Sequence, residues 1–395
     1  MGGDENEHRT SRVHDEPVAT MGRRRFVDAL FGLGFGALSA TFLTAEDVRA
    51  AGRDEVPIVY GLARDDEGTL RPRRKTVPAD WYDDFRSALA VHRNLELSER
   101  EHVASSAVVP GEYGGANAAI HVAITAERAR GEVPERVEDT PVEVSRVEPP
   151  ETTGSGFGGD RASGAASPLE QWSQDGDGPS ASVTDDGGVP GSIAVASEDL
   201  FGTLAPAMRD PGDGSAYFAT ANHIFEGSDA SGRSLYLLDG GKNEIGTIHE
   251  SHPKADMAAA RPVGDYRPLH RIADGDPKNV IGQFTEAGLA DLKADGEPLE
   301  KIGVRTGHTQ GKIQAIDGLT CAYGAICKRG QLKWGNESGF ADGDSGSVNF
   351  RPDPGHPDDY LLVGGINNAR TWWPGADYAW GTAGHRLFDA FGLHF

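Results

Sequence analysis

The spacing of apolar positions changes several times along the chain, and each change marks a boundary. Residues 29–45 run from Ala to Ala through Leu, Phe, Gly, Ser and Thr without a charge. That run is too short and too glycine-rich to read as a membrane-spanning helix. In Val77–Leu95 the residues Trp81, Phe85, Leu89 and Val91 fall at helical spacing, which predicts a helix. Ala118–Thr125 alternates as a strand does, and Val142, Val144 and Val147 predict a second one. Residues 51–148 therefore read as a small α+β N-terminal domain. Residues 149–190 hold Gly, Ser, Asp and Pro with few large apolar side chains, the composition of a flexible linker. From Gly191 onward short β-rich runs recur between Gly, Asp and Pro turns: SIAVA, AYFAT, SLYLL, KIGVR, GKIQAI, SVNF and LLVGGI. Strands at that spacing indicate an all-β sandwich or barrel, and residues 191–395 suffice for two small packed barrels. One helical pattern, Ala383–Phe391, closes the chain.

Charge narrows the partners. The 395 residues carry 38 Lys and Arg against 61 Asp and Glu, a formal net charge of −23. Such a surface repels phosphates, which argues against nucleic acid and anionic membranes. The acids are spread along the chain, and only nine of the basic residues are Lys. An acid-rich, lysine-poor surface suits a halophilic protein, because concentrated salt screens the self-repulsion. Two cysteines, Cys321 and Cys327, build neither a disulfide framework nor a zinc site. The Asp-Gly pairs at 175–178 and 185–188 fit no calcium loop and read as turns.

The front of the chain adds a destination. Arg23 and Arg24, followed by Arg25, Phe26 and Val27 and then by the apolar run, resemble a twin-arginine export signal. The expectation is a signal over residues 1–50, cleaved near Ala50 or Ala51, and a secreted product with no stable membrane insertion. An uncleaved anchor is the alternative.

The candidate chemistry centres on Gly343-Asp344-Ser345-Gly346. A nucleophilic serine needs an exposed hydroxyl and backbone N–H groups aimed at a developing oxyanion, and flanking glycines permit the tight turn that supplies both. A base is offered by His223, at the end of the apolar run Tyr217-Phe218-Ala219-Thr220-Ala221-Asn222. An aspartate to orient the imidazole is offered by Asp256, which heads the small apolar run Met257–Ala260. Asp239 and Asp265 compete for that role, each in a glycine-rich turn.

These elements resemble the chymotrypsin/trypsin-like serine peptidases of the PA clan. Gly-Asp-Ser-Gly is that family's nucleophile signature, Thr-Ala-x-His its base and Asp-x-Ala its orienter, and the order His, Asp, Ser is the chymotrypsin order. Lys301–Ile313 (KIGVRTGHTQGKI) resembles the strand pair early in its second barrel, and Gly202-Thr203-Leu204 with Ala207–His223 its first-barrel hairpin. The resemblance covers residues 191–395. It implies a double six-stranded β-barrel with a C-terminal helix, and a His223–Asp256–Ser345 triad. It also implies an oxyanion hole from the N–H groups of Gly343 and Ser345, and peptide pairing along Val363–Ile366. The implied activity is that of a serine endopeptidase acting on a peptide or protein substrate, with no cofactor and no metal. A non-catalytic protease-fold binding protein and a protease that cuts itself once are the alternatives. The N-terminal unit loosely resembles a module ahead of some bacterial trypsin-like proteins, which leaves a pro-region, an inhibitor and an interaction domain open.

Three departures qualify the match. No Ile-Val-Gly-Gly-like sequence precedes the first barrel, so Asp344 is expected not to wait for an activating cut. The half-cystine that usually follows the base is Ile224, and Cys321 and Cys327 are either paired or two buried thiols. Six residues before Ser345 stands Gly339, with no acid there to select Arg or Lys.

Overall fold

The structure, a computed structural model, describes residues 54–148, 183–227, 229–321, 327–370 and 377–395. The export segment with Arg23 and Arg24, and most of the linker, lie outside the described residues. Within them the chain is mainly β.

The N-terminal segment begins with a hairpin, β1 (Glu55–Arg64) and β2 (Leu70–Pro78), followed by helix α1 (Ala79–Asn94). Trp81, Phe85, Ala88 and Leu89 form the buried face of α1, as their spacing predicts. Strands β3 (Val103–Val109), β4 (Ala119–Ile124), β5 (Arg136–Val137) and β6 (Thr140–Arg146) follow. After the linker come β7 (Gly188–Gly191), β8 (Ala194–Ala196), β9 (Phe201–Thr203), β10 (Ala205–Arg209) and β11 (Ala216–Thr220). Strands β12 (Ser234–Leu238), β13 (Lys242–His252) and β14 (Met257–Pro262) complete a curled seven-stranded sheet in the order β10-β11-β14-β13-β12-β8-β9.

Two connecting strands, β15 (Arg267–Ile272) and β16 (Asn279–Phe284), lead to helix α2 (Glu286–Asp295). The Thr285 hydroxyl caps α2 by accepting the Gly288 N–H at 3.0 Å. Then follow β17 (Pro298–Gly303), β18 (Gly307–Thr320), β19 (Lys328–Trp334), β20 (Val348–Pro352), β21 (Tyr360–Arg370) and β22 (Ala379–Ala383). These six close on themselves in the cycle β17-β18-β19-β22-β21-β20, so the second sheet contains a six-stranded barrel. Helix α3 (Gly384–Phe391) ends the fold, as the sequence pattern predicts.

The N-terminal strands extend the same sheet. Strand β1 pairs with β16 through Gly61 opposite Phe284, and β3 pairs with β18 through Val108 opposite Ile316. One apolar core draws on both halves: Ile58, Trp81 and Phe85 pack in it with Phe284, Leu289, Leu299, Trp334 and Leu362. The sequence reading assigned neither β1, β2 nor β3, and placed the linker as far as residue 190. Residues 188–191 are a buried strand, parallel to β15.

Candidate active site

The His–Asp pair follows from strand register. Strands β11 and β14 are antiparallel neighbours with Thr220 opposite Ala258 and Phe218 opposite Ala260. The last residues of β11 therefore sit beside the first of β14. His223, three past Thr220, meets Asp256, two before Ala258. The His223 backbone N–H donates to Asp256 Oδ1 at 2.8 Å, and His223 Nδ1 lies 2.8 Å from Oδ2. Asp256 has a positive φ of 50°, which turns its side chain out of the line of β14 at the strand's entry. Asp256 is 2% exposed. Burial alone would raise its pKa, but the charges and hydrogen bonds of His223 and Lys328 outweigh burial and hold the carboxyl well below the usual carboxylate range. Asp239 and Asp265 lie in exposed turns at other strand ends.

Ser345 projects from the turn between Phe340 and β20 and is 7% exposed. Two glycines with positive φ shape this turn, Gly343 at 105° and Gly346 at 93°. A Cβ at Gly346 would stand 2.1 Å from the Thr203 carbonyl and 2.3 Å from Thr220 Oγ1, so only glycine lets the nucleophile's turn dock against the strand that carries His223. The first sheet grips the turn directly. Thr203 N–H donates to the Ser345 carbonyl and Thr203 Oγ1 to the Gly343 carbonyl, both at 2.8 Å. Among the described residues neither the Gly343 nor the Ser345 N–H donates to a backbone carbonyl. These are the two donors proposed for an oxyanion.

Asp344 is fully buried and fully engaged. Its carboxylate accepts the N–H groups of Arg305, Thr306 and Ala341 at 2.9, 3.2 and 2.9 Å and the Thr306 hydroxyl at 2.7 Å. The Lys301 ammonium stands 3.2 Å away, and both side chains have no exposed surface. Burial pushes the Lys301 pKa down, and Asp344 opposes the shift. An internal cation thus sits against the aspartate beside Ser345.

The expected substrate strand needs correction. Val363–Ile366 is interior: it pairs with β20 on one edge and with β16 and β22 on the other. No backbone edge is left there for a peptide. Pairing on the β20 side stops at Asn367, whose carbonyl accepts the Gly346 N–H and whose N–H donates to the Ser347 carbonyl, both at 2.8 Å. Beyond it, Ala369 and Arg370 pair with β22 alone among the described strands. The edge free for an added strand is therefore Asn368–Arg370, where β20 has turned away toward Ser345.

Two features escaped the sequence reading or were left open by it. Cys321 and Cys327 form a disulfide across the β18–β19 hairpin. The residue after it, Lys328, reaches Asp256 Oδ2 at 2.6 Å. Gly339, six residues before Ser345, offers its carbonyl to the Thr309 hydroxyl at 3.0 Å.

No family model matches this chain, and no curated protein does. Solved structures match in fold. One is a glutamic-acid-specific serine protease described as using a histidine triad in substrate binding, 19% identical with a TM-score of 0.40. The Nocardiopsis protease NAPase is 16% identical at 0.40, and the chymotrypsin of Cellulomonas bogoriensis 18% identical at 0.38. All three are proteases. Each match takes in 52 or 53% of this chain and at least 97% of the other. At these identities the likeness is one of fold.

Proposed function

We propose that this chain is a serine endopeptidase that works through an acyl-enzyme on Ser345. The observation that carries the reading is the double hold of Asp256 on His223, through backbone N–H and ring Nδ1 at 2.8 Å each. With Nδ1 held by Asp256, Nε2 takes the Ser345 proton as Oγ attacks the substrate carbonyl. The carbonyl oxygen becomes an oxyanion, which the N–H groups of Gly343 and Ser345 stabilise. His223 then returns the proton to the leaving amine, and water, activated by the same base, releases the acid and restores the serine. The peptide lies along Asn368–Arg370. Arg23 and Arg24 support export by the twin-arginine route, and Lys at both positions should retain the protein inside the cell.

The test is labelling by a fluorophosphonate in molar salt, comparing the wild-type chain with Ser345→Ala. Ser345-dependent labelling is expected. A folded wild-type chain that does not label would refute catalysis and leave the binding-protein reading.

A further inference from the structure

Asp256 has a partner that a His–Asp pair does not require. Lys328 opens β19, and its ammonium donates to Asp256 Oδ2 at 2.6 Å, the oxygen that also faces His223 Nδ1 at 2.8 Å. Lys328 is 3% exposed. An ammonium brought inside gives up its hydration, and only close contact with a carboxylate repays the loss. The chain has nine lysines, and this one stands at the aspartate beside the base.

Its position is fixed from two sides. Lys328 lies opposite Thr320 on β18, next to the Cys321–Cys327 disulfide that ties the two strands. The other edge of β18 is held by the N-terminal segment, with Ser105 of β3 opposite Thr320 and the Cys321 N–H donating to the Ala104 carbonyl at 2.8 Å. A lysine whose backbone is held this firmly presents a fixed charge.

Building on the hydrolase reading, we propose that Lys328 is a positioning residue that acts through Asp256. It keeps the carboxylate ionised with Oδ2 turned to His223 Nδ1, and it offsets part of the negative charge that the imidazolium meets during acylation. Two consequences follow that a merely structural ion pair would not have. Without the ammonium, the imidazolium faces an uncompensated carboxylate, so the acid limb of the Ser345 acylation rate moves to higher pH. The positioning effect of Lys328, read in the rate above the acid limb, also requires the Asp256 carboxylate, whereas the repulsion that sets the limb acts directly between the ammonium and the imidazolium. The ammonium and Nδ1 share one oxygen, so they stand no more than about 5.4 Å apart. Unit charges at that distance, across an effective dielectric of about 20, interact by the equivalent of about two pH units. His223 keeps 14% of its side chain exposed, and water there reduces the expected shift to about one unit. Other ionisable groups on the surrounding elements are Glu250 and His252 of β13, paired at 2.9 Å, Arg329 of β19, and His385 and Asp389 of α3. The test leaves all of them in place.

The experiment measures the second-order rate of fluorophosphonate labelling against pH for the full chain in molar salt. Lys328→Met is expected to move the acid limb up by about one pH unit, and so to lower the rate roughly tenfold below the midpoint. Lys328→Arg keeps the charge and should keep the limb. In an Asp256→Asn background Lys328→Met should change the rate above the limb by less than about threefold, because the group it positions is gone. An unmoved limb in Lys328→Met, or losses above the limb that multiply in the double variant, overturns the proposal. If Lys328→Met alone does not fold, the two Asp256→Asn chains decide: the double variant should show its limb about one unit above that of Asp256→Asn, and coincident limbs overturn the proposal. A wild type that fails to label defeats the hydrolase reading itself, whereas a labelled wild type with an unmoved limb defeats only the role of Lys328.

Discussion

Lys301→Met removes one buried charge while leaving the side-chain volume nearly unchanged. The Lys301 ammonium is 3.2 Å from Asp344, with both side chains fully buried. At an effective dielectric of about 20, that separation is worth about 5 kcal/mol of attraction. Losing one partner of a buried pair costs about 3–5 kcal/mol, because the survivor is stranded. Asp344 is not stranded completely: three backbone N–H groups and the Thr306 hydroxyl still donate to it. The low end therefore applies, about 3 kcal/mol, or a fall of about 150-fold in the ratio of folded to unfolded chain. A second effect falls on the chemistry. Asp344 lies between the two proposed oxyanion donors, so a carboxylate that shifts carries the Gly343–Ser345 turn with it. Loss of one such donor costs about 10²- to 10³-fold in rate. Urea unfolding in molar salt reads the first effect, and fluorophosphonate labelling under conditions where both chains are folded reads the second. A variant within about 0.5 kcal/mol of wild type that labels within about twofold of its rate would show that Lys301 does not support the turn.

Further outcomes follow from the same structure. A chain whose 149–190 segment is intact by mass spectrometry should label as fast as a cleaved one, since Asp344 already has its cation; labelling that appears only after cleavage would refute this. His270 is pushed down to about 3 by burial and by Arg64, Arg209 and His394. The unfolded chain therefore binds a proton below about pH 6.5 that the folded one does not bind until near pH 3, so stability is full above that range and falls as pH drops through it. His270→Gln should flatten the acid-induced loss of stability by about 2 kcal/mol between pH 7 and 4.5, read by urea midpoints, and an unchanged pH slope would count against the burial argument. Stability should rise between low and molar salt, since the chain carries a net charge of −23; equal unfolding midpoints would sink the halophilic reading.

Local signatures were legible in the sequence, and long-range partners were not. His223 and Ser345 stand out because each sits in a short pattern, an apolar strand ending in Thr-Ala-x-His and a serine between glycines. Asp256 was reachable through the small residues that follow it. Lys328 and Lys301 were invisible, because their meaning depends on aspartates 72 and 43 residues away along the chain (328 − 256 and 344 − 301). Strand β2 (LRPRRKTVP) was missed because its outward positions carry Arg and Lys, as an edge strand's do. Helix α2 was missed because six of its ten residues, EAGLADLKAD, are buried, the polar Asp291 among them, so its polar residues do not mark one solvent face. The substrate edge implied by the resemblance was set too early because a matched motif places a strand and not the point where its neighbour turns away.

The N-terminal segment is where the structure alters the argument most. As a sequence it is a separate unit ahead of a protease-like half, so a detachable pro-region, an inhibitor and an interaction module fit equally. In the structure β1 saturates β16 and β3 saturates β18, and Ile58, Trp81, Phe85 and Leu89 share one core with the barrel's Leu299, Ile313, Ile316 and Trp334. Removing the segment would bare two strand edges and the apolar floor of the barrel together. The edge bared at β18 leads through Thr320 to Lys328, and from Lys328 to Asp256. A release step would therefore disturb the proposed base rather than uncover it, which is the reverse of what a pro-region does. The segment is therefore expected to stay with the working protein, its attachment through β3 supporting the proposed geometry at His223.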